Sequence, residues 1–206
     1  MTSLYQEHDT CCHQVRSSPV SRWKPDAPGR LILAAITLFA EQGYQATTVA
    51  EIAERAGLTQ RTFFRYFSDK REVLFSGSDE LGRLWLEAVA AAPAEASPLA
   101  VVAAGFDPVA ELFAERHPFA RIRAAVITAN PELGERELIK LQTLAGAIEA
   151  ALIERGVAAS AAILAAQAGV TVFHVAFASW VQQDDPTALR RLMDESLEEL
   201  RSVTAH

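Results

Sequence analysis

The chain has 206 residues, half of them hydrophobic, a formal net charge of −7 and two cysteines. That apolar share excludes a disordered chain and suffices for a substantial core. Cys11 and Cys12 are adjacent and too close for a relaxed disulfide, so no disulfide framework is present.

Met1 to Ser21 is polar and aperiodic, and residues 1–25 are expected to form a flexible arm. It lacks the apolar core of a secretory signal. His13 beside the two cysteines makes a poor metal site, and Arg16, Arg22 and Lys24 are candidates to brush a DNA backbone.

The next unit, 26–75, carries the strongest signals. Thr48 and Glu51 fit a capping box that opens a helix, and Ile52, Ala53 and Ala56 form its apolar stripe. Gly57 ends it, because glycine takes the left-handed conformation without steric cost. Thr59 caps the following helix, with Leu58 and Phe63 placed as a hydrophobic staple. Helix, glycine turn, helix over about 48–67 is the DNA-binding helix-turn-helix pattern.

Phe63 and Phe67, four residues apart, point to the core. Gln60, Arg61, Phe64 and Arg65 share another face, with Thr62 and Tyr66 beside it. Arginine can bond guanine bidentately and glutamine can bond adenine, so this face suits a major groove. Asp69 and Glu72 read as a further capping box, which places Lys70 at a helix start within reach of a phosphate.

These residues, with G-R-L-I-L-A-A-I-T-L-F-A-E-Q-G-Y before them and S-D-K-R-E-V-L after, resemble the DNA-binding half of the TetR family of bacterial transcriptional regulators. The match runs through Gly29 to Leu74 in order and spacing. The resemblance implies that Thr48 contacts phosphate and that Lys70 clamps the DNA backbone. It also implies that Gln60, Arg61, Thr62, Phe64, Arg65 and Tyr66 lie along the groove. Three positions depart from the family's habit. Phe64 stands where tyrosine is usual, Tyr66 where histidine is frequent, and Arg61 where a small residue often sits. Phe64 cannot make the hydroxyl-to-phosphate bond but can meet a thymine methyl.

Charge is divided along the chain. Arg22 to Phe75 holds eight Lys and Arg against six Asp and Glu, a net +2, whereas Ser76 onward holds ten against eighteen, a net −8. An acidic body should repel DNA except through the basic head.

Residues 76–206 read as a larger helical unit, and the whole chain as all-α. With the start at Lys70, helices are expected near 70–92, 98–115, 118–129, 132–155, 159–182 and 187–203, with Pro118, Pro131 and Pro186 in first turns. Arg155 to Asp184 encloses no charged side chain, long enough to be tested as a membrane span. Gln167, Thr171, His174, Gln182 and Gln183 interrupt it and no basic cluster flanks it, so a buried helix is expected and no membrane partner.

By resemblance, the last two long helices pair across a two-fold axis in a homodimer. Val172, Val175 and Ser179 on the first are interface candidates, as are Leu189, Leu192, Met193, Leu197 and Leu200 on the second; the competing reading puts them in the monomer core. The resemblance also implies a small-molecule effector in the second unit. Arg121, Arg123, Asn130, Gln142, Gln167, His174 and Trp180 could orient it, and Trp85 and Phe106 could stack on it.

No glycine-rich phosphate loop, paired Cys-x-x-Cys, G-x-S-x-G elbow or His-Glu metal pair occurs, so no catalytic residue, metal site or cofactor is assigned. The expectation is a cytoplasmic, nucleoid-associated regulator of palindromic operator DNA, more a repressor than an activator, since repression needs only promoter occupancy. The alternative is an architectural or replication-associated DNA-binding protein with no effector.

Overall fold

Gly57 takes φ +66° at the end of one short helix, and two residues later the Thr59 hydroxyl accepts from the Thr62 amide at 3.1 Å to begin the next. These two helices lie within the computed structural model, which describes residues 26–204. The expected arm over 1–25, with Cys11, Cys12, His13, Arg16, Arg22 and Lys24, lies outside the described residues. Among the described residues there are eleven helices and no strand.

Four helices make the head: α1 (Ala27–Gln42), α2 (Val49–Arg55), α3 (Gln60–Tyr66) and α4 (Lys70–Phe75). The capping box of α2 is complete. The Thr48 amide donates to Glu51 Oε2 at 2.7 Å, and the Glu51 amide donates to Thr48 Oγ1 at 3.3 Å. That of α4 is half made. Asp69 Oδ1 accepts from the amides of Arg71 and Glu72 at 2.8 and 3.1 Å, but the Glu72 carboxylate pairs with Arg136 instead of returning to the cap. Leu31, Phe39, Ile52, Phe63 and Val73 fill the head's core, which Val126, Ile127 and Leu133 complete from outside it.

The body comprises α5 (Ser78–Ala91), α6 (Pro98–Ala103), α7 (Phe106–Ala114), α8 (His117–Thr128), α9 (Pro131–Glu154), α10 (Ala159–Trp180) and α11 (Leu189–Thr204). Two helices expected as continuous are broken. The run from Lys70 divides at Ser76–Gly77, where side chains take the last carbonyls of α4: Ser76 Oγ donates to Val73 O at 3.0 Å and Arg123 Nε to Leu74 O at 2.6 Å. The run from Pro98 divides at Ala104–Gly105, where the Trp85 indole donates to Val102 O at 2.8 Å. Pro108, in the first turn of α7, has no amide with which to continue the ladder. Pro118 and Pro131 stand in first turns, but α11 begins at Leu189. Asp185 accepts from the Thr187 amide at 2.9 Å in the preceding turn, where Pro186 O receives the Trp180 indole at 3.2 Å.

α10 has the length and hydropathy of a membrane span. In the fold it is the central helix of the body, packed against α6, α9 and α11. Ala162, Ala166, Gly169, Val170, Phe173 and Ala176 face inward, so packing against other helices accounts for much of its apolarity.

Candidate nucleic-acid interface and ligand cavity

On α3, Phe63 is fully buried while Gln60, Arg61, Phe64, Arg65 and Tyr66 are exposed, Phe64 at 55%. One edge contact holds the Phe64 ring, to Phe63 at 5.5 Å between centroids, and more than half of its surface stays open. Arg61 has no acidic partner among the described residues. Arg65 Nη2 donates to the Tyr66 hydroxyl at 2.7 Å, and its guanidinium lies 4.7 Å from that ring's centroid. Thr62 is half-buried, with its hydroxyl 3.0 Å from that of Thr59. Thr48 is exposed at the start of α2, its hydroxyl donating to Glu51 at 2.8 Å.

Lys70 is differently placed. Its Nζ donates to the carbonyls of Tyr44, Thr47 and Gln45 at 2.7, 2.8 and 3.3 Å, and lies 4.4 Å from the Tyr44 ring centroid. An ammonium has three hydrogens, and three carbonyls meet them. Burial lowers its pKa, opposed by Glu132 and Glu51. The expected clamp on DNA is, in this geometry, a clamp on the loop between α1 and α2.

The body holds a partly open cavity of about 830 Å³ between α5, α7, α8, α9 and α10. Phe113, Phe119, Phe173 and Phe177 form its aromatic wall. Arg116, Arg121, Arg123 and Lys140 line it against a single carboxylate, that of Glu137, so the lining is basic in a chain that is acidic. Of the nine effector candidates, Arg121, Arg123 and His174 line this space. The others do not. Trp85, Phe106 and Trp180 are fully buried in the body core, and both indoles are satisfied by carbonyls. Asn130 donates to Val126 O at 2.7 Å, and Gln142 and Gln167 bond each other between α9 and α10. Among the described residues, no three His, Cys, Asp or Glu side chains gather as a metal site.

Residues 31–76 match the family described as bacterial regulatory proteins, tetR family. The head is thus similar, over residues 31–76, to the DNA-binding segment of the TetR family. The regulator TcmR of Streptomyces glaucescens is 35% identical over 100 residues, 43% of this chain and 44% of that protein. The repressor KstR2 of Mycobacterium tuberculosis is 39% identical over 59 residues, 29% of this chain and 28% of its own. The chain thus spans less than half the length of these curated relatives. FadR of Bacillus subtilis, solved with stearoyl-CoA, has a TM-score of 0.58 at 24% identity, covering 84% of this chain and 96% of that one; at that identity the likeness is one of fold.

Against the interface expected of a TetR-family dimer, most candidates are already occupied. Val172, Leu189, Leu192, Met193 and Leu197 are buried in the chain's own core, and Leu200 packs against it. As placed, the five buried side chains have little surface to offer a second copy, whereas Leu200 is only partly buried. Val175 and Ser179 are exposed. They belong to an outer stripe of α10 that also includes Leu164 and Thr171, neither of them among the expected interface residues; Leu164 is 70% exposed. Their spacing at seven, four and four residues could have marked that stripe. The four cavity phenylalanines carried no such signal, because a buried aromatic at helical spacing reads as core.

Proposed function

We propose that this chain is a sequence-specific transcriptional regulator of the TetR family, a cytoplasmic repressor that a small molecule in the body cavity releases from a palindromic operator. The exposed face of α3 carries this reading. Gln60, Arg61, Phe64, Arg65 and Tyr66 serve no internal contact with the body, and their chemistry suits base edges and thymine methyls. Thr48 and Thr62, at the starts of α2 and α3, flank that face and would position it on phosphates. The cavity supports an effector, as does the stearoyl-CoA held by FadR. The outer stripe of α10 (Leu164, Thr171, Val175) would meet a second copy and set two α3 helices against two half-sites.

Selection of bound sequences from random duplex DNA, followed by footprinting, tests the reading. The expected result is one inverted repeat, bound more weakly by Arg61→Ala and Arg65→Ala. Binding indifferent to sequence would instead leave an architectural DNA-binding protein.

A further inference from the structure

One guanidinium belongs to both the cavity and the head. Arg123, on α8, lines the cavity, and its Nε donates to Leu74 O at 2.6 Å, among the last carbonyls of α4. Those carbonyls have no partner within their own helix, and a cation at a helix C-terminus is favoured by the dipole. The same guanidinium lies 5.1 Å from the Phe75 ring centroid. Its Nη1 donates to Glu137 Oε1 at 2.7 Å, in an ion pair whose side chains are 17% and 27% exposed. The other cations of the lining differ. Arg116 and Arg121 pair at half-open positions with Glu80 and Asp184, and Lys140 has no acidic partner among the described residues.

We infer that the cavity takes an amphipathic anion, an aromatic or aliphatic body bearing one acidic group, and that the acid takes Arg123 from α4. This rests on the cavity being the effector site. The four phenylalanines receive the apolar body, and the surplus of cations favours an acid over an alcohol or amide of the same shape. An acid beside Arg123 repels Glu137 and replaces it as the guanidinium's partner. Turned inward, Arg123 leaves Leu74 O, and α4 loses its C-terminal cap. Arg136, paired with Glu72, and Lys70 still hold the middle and the start of that helix, so its last turn loosens first. The two states differ in one interaction that the ligand competes for, as differential binding requires.

Anilinonaphthalene sulfonate and N-phenyl-naphthylamine, the same skeleton without the sulfonate, are fluorescent probes that separate charge from shape. The expected result is that Arg123→Met weakens the sulfonate about tenfold, the range of a charge-assisted hydrogen bond, and leaves the neutral probe unchanged. In the wild type the sulfonate, not the neutral probe, raises amide hydrogen exchange across residues 70–75 several-fold. Arg123→Met exchanges fast there without ligand and responds to neither probe. Glu137→Gln, which keeps both Arg123 and its bond to Leu74, binds the sulfonate more tightly. Equal opening of α4 by both probes overturns the inference. So does unchanged sulfonate affinity in Arg123→Met, or no tightening in Glu137→Gln. None of these measurements involves DNA, so a failure here leaves the regulator reading standing, and a failure of DNA binding leaves these results intact.

Discussion

Lys70 donates to the carbonyl oxygen of Tyr44 at 2.7 Å while its ammonium lies 4.4 Å from the same residue's ring centroid. One cation thereby joins the start of α4 to the loop after α1. Lys70→Met should lower stability by about 1–3 kcal/mol in denaturant unfolding, because charged hydrogen bonds are lost and carbonyls are left unmet. The slope of DNA affinity against salt should stay as in the wild type. A slope shallower by about 0.9 would return Lys70 to a phosphate.

Tyr44 also gives the head a pH dependence. Its hydroxyl is pushed up to about 12 from 10.0, first by burial and then by the Glu132 carboxylate. The folded state therefore holds this proton more tightly than the unfolded state. The stability it contributes is present in full below pH 10 and is lost as pH rises toward 12. Ultraviolet titration of tyrosinate should show one late group that Tyr44→Phe removes. The variant's stability should fall less steeply over that window.

Arg65 is an exposed base-reading candidate, bonded to the Tyr66 hydroxyl at 2.7 Å. Arg65→Ala should cost about 1–3 kcal/mol on the selected operator and relax preference at one base pair. Competition binding on single-base operator variants checks both. Equal losses on operator and random DNA would remove Arg65 from base reading.

Glycines separate close packing from helix propensity. A Cβ on Gly105 would fall inside the Trp85 indole, whereas one on Gly146, within α9, meets nothing within 4 Å. Gly105→Ala should destabilise by about 1–3 kcal/mol and shift tryptophan emission as the indole leaves Val102 O. Gly146→Ala should stabilise by about 0.5–1 kcal/mol. Thermal unfolding with emission spectra distinguishes the two.

Two valine-to-leucine-sized positions test the dimer face. Val175 is 53% exposed on α10, while Leu192 is buried on α11. Val175→Asp should leave the helical content intact and shift the molar mass toward one chain in light scattering. Leu192→Asp should unfold the body, because it places a charge in the core. A Val175→Asp protein with the wild-type mass would move the interface elsewhere.

Local signals in the sequence carried furthest. Thr48 and Glu51, or Gly57 between two stripes, act on backbone within a few residues of themselves, so spacing alone reveals them. The outward face of α3 follows from the buried Phe63 and the helical period. Lys70 shows where that logic ends, since its carbonyl partners lie 23 to 26 residues away along the chain. Periodicity identified the apolar face of α11 but not what it meets, and it meets α10 of the same copy. The cavity was least legible. Polar atoms on apolar helices pointed to Trp180, and stacking pointed to Trp85; their indoles bond Pro186 and Val102. The lining phenylalanines come from three different helices and share no local pattern.

Val126, Ile127 and Leu133 lie well past Phe75, yet they close the core of the head. A cut after α4, where the sequence divides most naturally, would strip that core of three apolar side chains and leave a gap against Leu31 and Phe39. The head is therefore not a transferable module. Grafting it onto another body would require refitting the positions of α8 and α9 that plug it. The core of the head thus reaches, along the chain, as far as Leu133.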